Sequence, residues 1–128
     1  MIATLTLIAL PAAAAQEGPF GAIAYSTTYR NSYIVTDYQT QAEAEAAALK
    51  SCRDDTKNDP SCAVALWFKD ACGALAKASD GSWGTGWGSS QDLASRYAVE
   101  TCRDYGGTDC KMKIVACSPG GAMTIPAN

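Results

Sequence analysis

Two Cys-Arg-Asp triplets, Cys52-Arg53-Asp54 and Cys102-Arg103-Asp104, stand 50 positions apart in a chain of 128 residues. Gly21-Ala22-Ile23-Ala24 likewise recurs as Gly73-Ala74-Leu75-Ala76. A sequence that repeats itself at such a period is expected to build two equivalent units that share a core. Each triplet closes a helical stretch opened by a polar cap. Thr40-Gln41-Ala42-Glu43 reads as a capping box, and Ser89-Ser90-Gln91-Asp92 is a looser version of it. Around each helix lie a short apolar strand, a turn, a second strand (32–38 and 82–88) and, after the helix (about 41–53 and about 91–104), a third strand (63–68 and 111–116). The expected fold is therefore α+β: two tandem ββαβ half-repeats, about 20–71 and 72–119, forming a mainly antiparallel sheet with two helices packed on one face.

The helices carry matching stripes. Ala44, Ala48 and Cys52 in the first correspond to Ala94, Ala98 and Cys102 in the second, at i, i+4 and i+8. Small residues on one stripe let a helix sit close on a sheet. Leu49 and Val99 flank the stripe, while Glu43, Glu45, Arg96 and Glu100 are expected to face water. The two helix-borne cysteines then point toward the start of the following strands, which favours Cys52–Cys62 and Cys102–Cys110 as equivalent bridges. Cys72 and Cys117 remain, and are expected to tie the halves together; among the many pairings of six cysteines, only the duplication selects this one.

Disulfides need an oxidising compartment. Residues 1–15 supply a reason to expect one: an apolar run from Ile2 to Leu10, then Pro11 and four alanines, is the core and cleavage region of a secretory signal, although no positive charge precedes it. Residues 16–128 then form a single domain with a short C-terminal tail, secreted or periplasmic, with no membrane insertion after cleavage, since the apolar run is shorter than a membrane span.

The chain has no histidine, so Ser-His-Asp and Cys-His nucleophiles and His-based metal sites are excluded. No Cys-x-x-Cys pair is present, which argues against zinc ribbons and thiol redox chemistry. Asp54, Asp55 and Asp59 lack the spacing of a helix-loop-helix calcium site and read as solvated loop charges. No metal and no cofactor are expected. Catalysis would have to rest on a carboxylate pair, as in glycoside hydrolysis, but Asp54 and Asp104 occupy symmetric helix ends, where duplicated structural work is the simpler reading. With 10 Lys+Arg against 13 Asp+Glu, the chain is a poor partner for nucleic acid or an anionic membrane surface.

The segment expected to meet a ligand is Trp83-Gly84-Thr85-Gly86-Trp87-Gly88. In a strand, Trp83, Thr85 and Trp87 share one face and the three glycines the other. Two indoles on one face can form a platform for a sugar ring or a partner's apolar side chain, or they can simply be core. The positions matched to them in the first half are Tyr33, Val35 and Asp37, so Tyr33 and Asp37 join the expected contact set. Trp67 and Phe68 read as core.

Taken together, the Ala-rich helix ending in Cys52, Trp67-Phe68-Lys69-Asp70-Ala71-Cys72-Gly73, the Gly-Trp strand and Val115-Ala116-Cys117-Ser118-Pro119 resemble the bacterial family called domain of unknown function 4189. The resemblance covers nearly all of residues 20–119 and implies a small exported domain without an established activity; it brings no catalytic residues. The expected function is a non-catalytic binding or interaction module acting on a protein or glycan of the envelope or exterior. One form of it is an inhibitor that plugs an enzyme's cleft with the loop Thr27-Thr28-Tyr29-Arg30-Asn31. The alternative is a small carbohydrate-active enzyme or wall-glycan binder using carboxylates with Trp83 and Trp87.

Overall fold

The computed structural model describes residues 3–6 and 17–121; most of the expected export signal at 1–15 and the tail beyond 121 lie outside the described residues. The elements run β1 (Phe20–Ser26), β2 (Asn31–Tyr38), α1 (Gln41–Thr56), β3 (Ala63–Lys69), β4 (Ala71–Lys77), β5 (Trp83–Gly88), α2 (Gln91–Asp104) and β6 (Lys111–Ser118). The strands form two antiparallel three-stranded sheets, ordered β2-β1-β3 and β5-β4-β6, so the first strand of each triplet sits in the middle.

The fold is α+β, but the single sheet with both helices on one face is corrected. There are two sheets, stacked face to face, with one helix on each outer side. The reason lies in β1 and β4, which are apolar on both faces. Phe20, Ala22 and Ala24 pack on Ala44, Ala48 and Cys52 of α1, and Cys72, Ala74 and Ala76 pack on Ala94, Ala98 and Cys102 of α2. The alternate residues Ile23, Tyr25 and Leu75 meet Phe68 and Ile114 in a third cluster between the sheets. A single sheet with both helices on one face would leave Ile23, Tyr25 and Leu75 in water, whereas stacking covers them. Asp70 alone separates β3 from β4, in a left-handed conformation (φ 51°) that turns the chain from one sheet into the other.

Local signals place the helices as expected. Thr40 Oγ1 accepts from Glu43 N and Ser90 Oγ from Leu93 N, each at 3.1 Å, satisfying amide donors that a helix start leaves free. At the far end of α1, Lys57 adopts φ 56°, and the next amide, Asn58 N, donates to Arg53 O at 2.8 Å.

The disulfides are Cys52–Cys62, Cys102–Cys110 and Cys72–Cys117. The first two pin the end of each helix to the approach of its following strand. The third does not tie the halves together. Cys72 and Cys117 are register partners on neighbouring β4 and β6, so this bridge closes the second sheet on itself. The register partners at the corresponding place in the first sheet are Phe20 and Lys69, where the ammonium lies over the ring, 5.4 Å from its centroid.

In the last loop of the first half, Asp59 is not solvated. Asp59 Oδ2 accepts from the Ser26 and Ser61 hydroxyls, each at 2.5 Å, Oδ1 accepts from Ser61 N, and both Ser26 and Asp59 are buried. This corrects the reading of Asp59 as a free surface charge. Hydrogen bonds from Ser26 and then Ser61 hold its carboxyl below the ordinary carboxylate range, with burial opposing them. Asp109 is shifted the same way by Ser79. A carboxyl whose pKa is lowered on folding contributes stability above its unfolded pKa, and that contribution is lost as pH falls through the folded value. Unfolding midpoints measured down the acid range should therefore fall through this window in the native protein, and Asp59→Asn should flatten the fall. Parallel profiles for the two proteins would refute the assignment.

Candidate functional site

A strand at a sheet edge exposes unpaired backbone groups, and natural edges carry charges, prolines or bulges that discourage pairing. Three of the four edges here do. β2 has an irregular register and Asp37, β3 has a register shift and Lys69, and β6 has a register shift with Lys111 and Lys113. β5 has none of these: Trp-Gly-Thr-Gly-Trp-Gly is uncharged, lacks proline and pairs with β4 in unbroken register.

Its glycines explain how α2 comes to lie beside this edge. A Cβ on Gly84 would stand 2.3 Å from Cys102 N, and one on Gly86 would stand 2.3 Å from Ala98 N, so only bare backbone lets the helix approach. In the first sheet the corresponding places hold Tyr33 and Val35, which pack on α1. Gly86→Ala should accordingly cost about 2–3 kcal/mol, read as a drop in urea midpoint; a neutral substitution would mean that α2 can shift outward freely.

Three connected hollows border β5. On the helix side, about 530 Å³ is lined by β5 and by Leu93, Tyr97 and Thr101, one stripe of α2 at i, i+4 and i+8. Toward the β4–β5 loop, about 540 Å³ is lined by Asp80, Ser82, Trp83, Thr85, Thr101 and Tyr105, with Ala65 of β3. Between the two sheets' edges, about 580 Å³ is lined by Trp87 and five consecutive residues of β3 from Ala65 to Lys69. Thr85 and Thr101, Ala65, and Trp87 are shared between neighbouring hollows, so they form one continuous border.

Trp83, Thr85 and Trp87 do share a face, but the two indoles have different environments. Trp83 is half-buried against Tyr25, with ring centroids 4.7 Å apart, whereas Trp87 is 62% exposed. The flat double platform is therefore replaced by one anchored ring and one free ring. Trp67, expected in the core, is 48% exposed; it is on the edge strand β3, with only its inner side against Phe20. Phe68 is in the core as expected, 2% exposed. Tyr97 and Tyr105, which sequence reasoning passed over, are exposed along the same border.

Tyr33 and Asp37 are not brought to this face. The register that pairs Ala24 with Tyr33 pairs Ala76 with Gly84, so the first-half match of Trp83 is one residue earlier, at Ser32. A slip of one residue moves a side chain to the opposite face. The Tyr33 hydroxyl donates to Asp55 Oδ2 at 2.5 Å. Asp37, at φ 66°, accepts from Thr36 Oγ1 and Gly120 N, and its own amide donates to Ser118 Oγ, linking β2 to the end of β6.

Among the described residues, no group of acidic or cysteine side chains is arranged to hold a metal ion, and no helix is long and apolar enough to cross a membrane. The fold and this border define a small disulfide-bonded α+β domain with one unprotected, aromatic-flanked strand edge. The family model described as Domain of unknown function (DUF4189) matches residues 20–117, and the chain belongs to that family. No curated protein and no solved structure matches it.

Proposed function

We propose that this is an exported, non-catalytic binding module that takes an extended segment of a partner polypeptide along β5, adding a strand to the second sheet. The observation that carries this reading is the contrast among the four edges: only β5 offers an unbroken, uncharged ladder edge. In strand addition, main-chain hydrogen bonds supply affinity and hollows for alternate side chains supply selectivity. Here one set of side chains would fall toward Leu93 and Tyr97, and the other toward Trp87 and β3. Exposed tryptophans are the residue type that most often anchors an interface. Export is supported by the three disulfides, which need an oxidising compartment to persist. A general acid needs a raised carboxyl pKa, and the two aspartates shifted by their surroundings, Asp59 and Asp109, are shifted down. An inhibitor is one form such a module takes, with Tyr29 exposed on the loop at 27–30.

The test is selection from a displayed library of linear peptides somewhat longer than β5. Selected peptides should slow hydrogen exchange of the outward amides within Trp83–Gly88, and Trp87→Lys should abolish their binding while leaving the unfolding midpoint within about 0.5 kcal/mol of native, as for other surface changes. Undiminished binding to Trp87→Lys, or unprotected β5 amides, would overturn strand addition. Self-association through β5 would reassign the edge to a second copy. A second reading, glycan binding, is favoured by the hydroxyls of Ser82, Thr85 and Thr101 and the Asp80 carboxyl beside Trp83 and Tyr105; soluble wall fragments that quench tryptophan fluorescence would support it.

A further inference from the structure

Beside the turn after β1, three positive charges gather around a single carboxylate. The turn after β1 places Arg30 in a left-handed conformation (φ 56°). Its guanidinium reaches across to the β4–β5 loop, lying against Gly81, where a Cβ would stand 3.0 Å from the nearest guanidinium nitrogen, and donates to Ser79 O at 3.4 Å. Lys77, at the end of β4, donates to the Arg30 carbonyl. Lys113 belongs to the irregular part of β6, where the register against β4 shifts. With Asn31, Ser32 and Ile114, these three cations line a cleft of about 350 Å³.

We propose that this cleft is a binding site for a doubly charged oxyanion of the phosphate type. Three of the chain's 10 Lys+Arg meet here, although acids outnumber bases overall. The one carboxylate in the lining, Asp55, is engaged by the Tyr33 hydroxyl. The cleft thus carries three positive charges against one negative, an excess matched to a dianion. The single salt bridge among the described residues, Lys50–Asp54, does not include any of the three. Like charges held together destabilise a fold. Burial, and then Lys113 and Arg30, hold the Lys77 ammonium below the ordinary lysine range. Surfaces that keep such an arrangement in the absence of ligand trade stability for binding. A guanidinium held by one backbone carbonyl rather than by an acid retains N–H donors for a second, bidentate acceptor, and the two ammonium groups add point charges beside it.

The probes are inorganic phosphate, pyrophosphate and citrate, titrated into the native protein at constant ionic strength while the amide signals of Arg30, Asn31, Lys77 and Lys113 are followed. Saturable shifts with phosphate or pyrophosphate are expected, and Arg30→Gln and Lys113→Gln should each weaken that binding by at least about tenfold. Because Lys113 is exposed, Lys113→Gln should remain folded. It should also raise the unfolding midpoint without phosphate, by relieving repulsion on Lys77. Shifts reproduced by chloride, native-like affinity in both variants, or citrate bound in preference to pyrophosphate would overturn the assignment. No residue of β5 lines this cleft, so its failure leaves the strand-addition reading untouched.

Discussion

Replacing Phe68 with alanine should destabilise the domain by about 4 kcal/mol, within the range for deleting a fully packed aromatic ring. The ring comes from β3 and lies between two glycines that occupy the same place in the two sheets. A Cβ on Gly21 would stand 2.3 Å from it, and a Cβ on Gly73 would stand 2.4 Å away. Phe68 thus fills a space that both central strands leave by lacking a side chain, and it joins Ile23, Tyr25, Leu75 and Ile114 in the only large apolar cluster between the sheets among the described residues. The positions directly against the ring on β1 and β4 are glycine, so they have no side chain to fill the gap, and their ladders are fixed by neighbours on both sides. Phe68→Leu keeps most of the volume and should cost roughly 1–1.5 kcal/mol. Urea unfolding with the disulfides intact would measure both. A loss below about 1 kcal/mol for Phe68→Ala would mean that the sheets do not depend on this ring to stay together.

The parts of the fold that were legible in the sequence are those set by local chemistry. Helix starts followed from Thr40 and from Ser89-Ser90, of which Ser90 is the cap, and the buried stripes followed from alanine and cysteine at four-residue intervals, because both depend on side chains a turn or less apart. The cysteine pairs at the helix ends followed from the duplication, which sets the two helix-borne cysteines in equivalent places. What was not legible depends on what lies across a face. Gly21-Ala22-Ile23-Ala24-Tyr25 is apolar at every position, so its alternation does not reveal that one face meets a helix and the other a second sheet. A count of uncovered apolar faces would have shown that one sheet was too few. Trp67 follows the same logic: it stands in an apolar strand, and only the position of β3 at an edge leaves its ring in water. The matching of Tyr33 to Trp83 failed on a register that is set by pairing with β1, and Asp37 stands at the irregularity between Phe20 and Ala22; spacing alone encodes neither. For the candidate site, the Trp-Gly alternation set β5 apart, but that it is an edge without charge, proline or register shift requires knowing the other three edges.

Removing the Cys72–Cys117 bridge should be the costliest of the three disulfide deletions, at about 4 kcal/mol, against about 2.7 for Cys52–Cys62 and about 2.5 for Cys102–Cys110. The ordering follows from the length of chain each bridge closes in the unfolded state: 45 residues for the first, 10 and 8 for the others. In the native state the bridge joins register partners already held by the β4–β6 ladder, so a Cys72→Ala/Cys117→Ala variant retains its strand pairing and mainly regains unfolded-chain freedom. The first sheet has no equivalent restraint. Its Phe20–Lys69 contact, with the ring buried and the lysine half-buried, is worth about 1–2 kcal/mol, still less than the bridge. The two sheets should therefore differ in local stability although their strand orders match. Native-state hydrogen exchange is expected to release amides of β1 and β3 before those of β4 and β6, and the difference should vanish in the double variant. If β4 and β6 keep their advantage without the bridge, the asymmetry would instead belong to the close seating of α2 on β5 and β4.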